Sequence, residues 1–151
     1  MKLNDNLKQL AGRLHIEVIN RDGETVETHD WNNLITKTGY HAVGQCLAGI
    51  AGARINRIAV GTNDTAPTFD DTAITNAVTS AITNAEYSVM GVETNEWVKF
   101  HFNVGYFQAV GMNITEWGLI TQDGRLFSRV TRSAIQKTNE IMLTGYWIVK
   151  I

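Results

Sequence analysis

Few side-chain combinations in this chain could carry out a reaction. Histidines stand at His15, His29, His41 and His101, and no pair has the spacing of a helical zinc motif. The single cysteine, Cys46, excludes an internal disulfide and any multi-cysteine zinc site. It falls in an apolar helical stretch, where a thiol reads as a small buried hydrophobe and an inert one. The serines Ser80, Ser88, Ser128 and Ser133 lie in no Gly-x-Ser-x-Gly elbow. Gly111, Gly118 and Gly124 lack the lysine and the spacing of a phosphate-binding loop.

Two carboxylate groupings remain. Asp64, Asp70 and Asp71 crowd one loop, and loop carboxylates can hold calcium. Their spacing matches no EF-hand, and such residues routinely bond their own backbone, so turn and cap roles are expected. Glu116 and Arg129 fall on two segments expected to form a hairpin. A pair there is expected to be a structural ion bridge. The expectation is a protein with no catalytic residue, no metal and no cofactor.

The elements that would position these residues are mostly strands. Leu14, Ile16 and Val18 alternate with His15 and Glu17, and the run Arg21-Asp22-Gly23-Glu24 reads as a hairpin turn into a strand ending at Trp31. From Leu34 to Ile50 the period changes. Ile35, Gly39, Val43, Cys46, Leu47 and Ile50 make one helical stripe, with Thr36 as N-cap and Gly49 or Gly52 as the stop. Strands follow over residues 55–60 and 85–92, while residues 77–85 fit strand and helix equally. The clearest strand runs from Trp97 to Phe107, with Val98, Phe100, Phe102 and Val104 on one face. Residues 114–120 and 126–131 form a hairpin about Asp123-Gly124. The last strand, residues 140–151, is apolar on both faces: Ile141, Leu143, Trp147, Val149 and Ile151 on one, Met142, Tyr146 and Ile148 on the other. Such a strand is central in the fold or closed by another chain. About eight strands and one helix predict a mainly β domain, an antiparallel β-sandwich or jelly-roll-like fold.

That domain is expected over residues 14–151, preceded by an arm or short helix over residues 1–13. Leu3, Leu7 and Leu10 are spaced like a heptad seam. Two readings of the arm stay open: a short amphipathic helix on its own domain, or an arm docked on a neighbouring subunit.

Composition agrees with one globular domain of 151 residues, 44% hydrophobic and 19% charged. A formal net charge of -2 argues against nucleic acid as a partner. The start of the chain has no long apolar run, so neither a signal peptide nor a membrane span is expected.

Three blocks in order carry a resemblance. Leu34-Ile35-Thr36-Lys37-Thr38-Gly39 leads into the helix. Arg57-Ile58-Ala59-Val60-Gly61-Thr62-Asn63-Asp64 runs on to Pro67, with Asp71-Thr72-Ala73-Ile74 behind it. Ile114-Thr115-Glu116-Trp117-Gly118-Leu119-Ile120 is followed by Asp123-Gly124-Arg125-Leu126-Phe127-Ser128-Arg129-Val130 and by Ile135-Gln136-Lys137-Thr138. This order resembles small virion structural proteins of tailed phages and prophages, usually described as tail-fibre proteins. The resemblance spans most of residues 34–151. It implies a non-catalytic tail component (fibre, baseplate or adaptor) that assembles with other virion proteins and forms a homo-oligomer, a trimer or ring. It also implies synthesis in the host cytoplasm and residence in the virion. The alternatives are a capsid decoration (cement) protein and a carbohydrate-binding adhesin module that stacks a host glycan on exposed aromatics. The expected contact residues are Leu3, Leu7, Leu10, Trp31, Trp97, Trp147, Tyr146 and Ile148.

Overall fold

One apolar face of most strands turns to a common side, and the sheet they form closes on itself. A computed structural model describes residues 10–88 and 97–150. In chain order they form strands β1 (Ala11–Asn20) and β2 (Thr25–Ile35), helix α1 (Lys37–Leu47), and strands β3 (Ile55–Gly61), β4 (Val78–Tyr87), β5 (Trp97–Val104), β6 (Asn113–Thr121), β7 (Leu126–Gln136) and β8 (Ile141–Lys150). The strands close into an antiparallel barrel in the order β1-β2-β7-β6-β3-β4-β5-β8. A sandwich or jelly roll was expected. The difference is the seam between β1 and β8, which pair continuously from Ala11↔Lys150 to Asn20↔Ile141 and leave no open edge there.

The two-faced last strand is explained by its position. β8 lies between β1 and β5, hydrogen-bonded to both. Leu143, Trp147 and Val149 point into the barrel with Leu14, Ile16, Phe102, Val104 and Trp117. Trp147 is fully buried, which removes it from the expected contact residues. Met142, Tyr146 and Ile148 face outward, half-covered by neighbouring side chains. The first strand also starts earlier than expected: residues 11–13 belong to β1 and not to an arm. Leu3 and Leu7 lie outside the described residues, as do Ile151 and residues 89–92 of the strand expected over 85–92.

Helix α1 packs against β7. Thr36 caps it as expected: its hydroxyl accepts the Gly39 N–H (3.0 Å) and donates to the Leu126 carbonyl (2.7 Å). A Cβ at Gly39 would run into the Phe127 carbonyl oxygen, so glycine is what lets the helix lie against β7. The expected apolar stripe is only half used. Ile35 and Gly39 are buried and Val43 is partly covered, but Cys46 is exposed and Leu47 is 86% exposed. Cys46 is therefore no core thiol, because the helix runs past the edge of the barrel.

Outside the barrel, the long β3–β4 connection covers β6. Its Ile74 joins Ala59, Ile120 and Leu126 in a second, smaller core. A Cβ on Gly118 would come within 2.8 Å of the Ile74 and Leu126 side chains, so glycine there allows the loop to lie flat on the strand.

Candidate interaction surfaces

Three charged residues from the second and third sequence blocks, Asp71, Glu116 and Arg129, meet beneath the β3–β4 loop. Glu116, on β6, is fully buried, and Arg129, on β7, is nearly so. Arg129 Nε donates to Glu116 Oε2 (2.8 Å), and Nη1 donates to Asp71 Oδ2 (2.8 Å). The other Glu116 oxygen accepts the backbone N–H groups of Thr75 (2.6 Å) and Asn63 (3.1 Å). Desolvation pushes the Asp71 carboxyl up, but hydrogen bonds from Thr68 and the Arg129 cation outweigh it and hold it below the usual carboxylate range. The hairpin pair expected between Glu116 and Arg129 is present, and its work is to fasten the β3–β4 loop to the barrel.

Asp71 is thus committed to Arg129 and to the Thr68 N–H and hydroxyl, while Asp64 and Asp70 are exposed. Among the described residues no three His, Cys, Asp or Glu side chains come together as a metal site requires. Lys137 is also spent internally. Its ammonium donates to the Tyr106 (3.2 Å) and Thr138 (2.8 Å) carbonyls, and burial lowers its pKa.

The outer wall of the barrel carries a different arrangement. In the antiparallel register Asp30, His15, Tyr146 and His101 stand opposite one another on β2, β1, β8 and β5. Glu86 on β4 closes the row. His15 stacks on Tyr146, with ring centroids 4.8 Å apart and planes at 19°. Its Nδ1 lies 2.9 Å from Asp30 Oδ1, which also accepts from Arg13 Nε (3.2 Å). On the other side His101 meets Tyr146 edge-on, and its Nε2 lies 3.0 Å from Glu86 Oε2. The Lys99 ammonium sits over both the Tyr146 and Trp97 rings, at 4.6 and 4.8 Å. The result is a belt across five strands: carboxylate, imidazole, phenol, imidazole, carboxylate. Flat rings flanked by charges suit contact with a protein surface or a sugar.

Of the expected contact residues, Trp97, Tyr146 and Ile148 fall on or beside this belt. Trp31 does not. It projects to the inner side of β2, stacked on His29 (5.1 Å) and under Arg132 (4.2 Å). There it faces Arg132 of β7, beyond the short stretch in which β2 pairs with β7, Leu34↔Arg129 and Ile35↔Ser128. Leu10 lies at neither place and lines a groove at the helix end. The belt itself escaped sequence reading, because its members come from five strands whose register is set only by closure. The outward positions of the alternating strands were the signal available.

One consequence is testable. Desolvation raises the Asp30 carboxyl, but His15 and then Arg13 outweigh it, so its pKa lies below the ordinary 3.8. A depressed folded-state pKa contributes stability that is full above the unfolded value and lost as pH falls through the folded one. Asp30→Asn should therefore lower the urea midpoint at neutral pH, and the difference from wild type should shrink as pH falls below about 4. Partial exposure keeps the effect under about 1 kcal/mol. A difference that grows on acidification would contradict the arrangement.

A groove of about 660 Å³ opens where α1 overhangs the barrel. Leu10, Val43, Cys46, Leu47, Val98 and Phe100 are among the residues of its apolar wall. No helix among the described residues is long and apolar enough to cross a membrane. Comparisons with known protein families, curated proteins and solved structures found no match to this chain.

Proposed function

We propose that this chain is a non-catalytic structural protein of a tailed-phage virion, a tail component that assembles through protein–protein contacts. The family resemblance of the three sequence blocks supplies the phage assignment. The observation that carries the structural role is what those blocks do in the fold. Thr36 from the first ties the helix to the β7 backbone; Asn63 and Asp71 from the second, with Thr75 just beyond it, bind Glu116 and Arg129 from the third. Three charged residues of the signature, Asp71, Glu116 and Arg129, are spent in fastening the β3–β4 loop to the barrel. That is the use expected of a scaffold whose outer wall meets other chains.

The belt about Tyr146 is the contact surface in this reading. Aromatic side chains with charged neighbours are the usual anchors of such contacts. The test is the position and copy number of the protein's density in intact particles of the phage or prophage that encodes it. Density at the tail, with the belt against a neighbour, is the expected result. Density confined to capsid faces would replace the tail assignment with the cement-protein alternative. The belt's pairing of aromatic rings with carboxylates also fits a sugar-binding face. A glycan array probed with wild-type protein and Tyr146→Ala tests that second reading; binding lost in the variant would favour it.

A further inference from the structure

We propose that the groove beside α1 is the docking site of the chain's own first nine residues, with the Leu3 and Leu7 side chains seated in it. The groove needs an occupant. Its wall is aliphatic and aromatic, and Leu47 at its rim is 86% exposed. The helical stripe of α1 continues through Val43, Cys46 and Leu47 beyond the barrel it packs on, so the second half of that stripe faces this groove and not the core. An apolar stripe that outruns its partner points to a second partner.

The chain itself leads there. Leu10 already lines the groove, and its carbonyl faces the Tyr40 hydroxyl at 3.5 Å. Residues 1–9 attach directly at that point. Leu3 and Leu7 precede Leu10 by seven and three residues, so in a helical turn all three share one face. That face spans about 10 Å, comparable to the width of α1 and the strand beside it. Lys2, Asp5 and Lys8 fall off the leucine face and would stay in water. The groove wall also holds an acceptor in want of a donor: Asn56 Oδ1 is buried and has no hydrogen-bond partner among the described residues.

The occupant is the segment of the same copy. A tether that starts inside the groove gives an effective concentration in the millimolar range, far above that of a second copy in dilute solution. Docking in cis also resolves the two readings of the leucine seam in favour of the chain's own domain.

The natural cysteine provides the test, since Cys46 lines the groove and no other thiol is present. Leu7→Cys in the full chain, oxidised mildly at low micromolar concentration, should form a disulfide with Cys46. It would appear as a faster-migrating monomer on a non-reducing gel, with a yield independent of protein concentration. Asp5→Cys, on the side of the turn away from the leucines, should cross-link at least about tenfold more slowly. A covalent dimer whose yield rises with concentration would overturn docking in cis, and so would equal rates for the two variants or no cross-link at all. A second measurement avoids any new thiol. Alkylation of Cys46 should speed up by about tenfold in Leu3→Asp/Leu7→Asp, because the groove is uncovered. An unchanged rate with an intact fold would overturn the proposal. Neither outcome depends on where in a virion the protein sits.

Discussion

Arg129→Met should destabilise the protein by about 3–5 kcal/mol, the cost of leaving a buried partner charge unpaired. Methionine fills much of the arginine's volume, so packing is nearly kept. What is lost is the cation between Glu116 and Asp71, both of which hold the β3–β4 loop. Glu116 has no water to turn to, since its side chain is fully buried. In a domain of this size the loss corresponds to a fall in Tm of about 6–20 °C. The double variant Glu116→Gln/Arg129→Met should recover part of it. A neutral amide needs no cation, and its carbonyl can still accept the Asn63 and Thr75 N–H groups. Thermal and urea denaturation of the three proteins check this. A double variant less stable than Arg129→Met would show that the unpaired charge is not the source of the loss.

Trp147→Ala should cost a similar amount, about 3–5 kcal/mol, because it empties a large volume among Leu14, Phe102 and Leu143 in a fully enclosed position. Tyr146→Ala, one residue earlier on the same strand, should cost under about 1.5 kcal/mol, since it removes only outer-wall contacts with His15, His101 and Lys99. Any assembly defect should follow the opposite order: Tyr146→Ala folds and fails to dock, whereas Trp147→Ala fails as a fold. Urea midpoints for both variants, read against particle incorporation, separate the two roles. A Trp147→Ala protein as stable as wild type would mean that this side chain stands at a surface after all.

The contrast between those two neighbours shows what sequence alone could and could not deliver. Alternation identified β8 and sorted its residues into two sets, but both sets are apolar, so nothing local says which faces inward. The same holds for the architecture. Strand number, the hairpin turns and the Thr36 cap follow from local chemistry. Closure follows from Ala11 meeting Lys150, a pairing between distant segments that alternation does not encode, and sandwiches and barrels share the same alternation. The Glu116–Arg129 pair was legible because a hairpin brings its members together. Asp71 was not, because a long loop delivers it. Cys46 was misplaced because a helical period gives the direction of a stripe and not the extent of the surface it packs against.

The β1–β8 seam also has a bearing on how the chain is born. The strand that seals one edge of β1 leaves the ribosome more than a hundred residues after β1 does. At ordinary synthesis rates of about 5–20 residues per second, β1 waits roughly 6–25 s with that edge open. During this interval the β1–β2 hairpin is a sticky ribbon with Leu14, Ile16 and Val18 uncovered. Neighbouring nascent chains on one messenger would be its nearest partners. The spacing of ribosomes therefore becomes a determinant of yield, and slowing initiation should raise the recovered folded fraction more than lowering temperature alone.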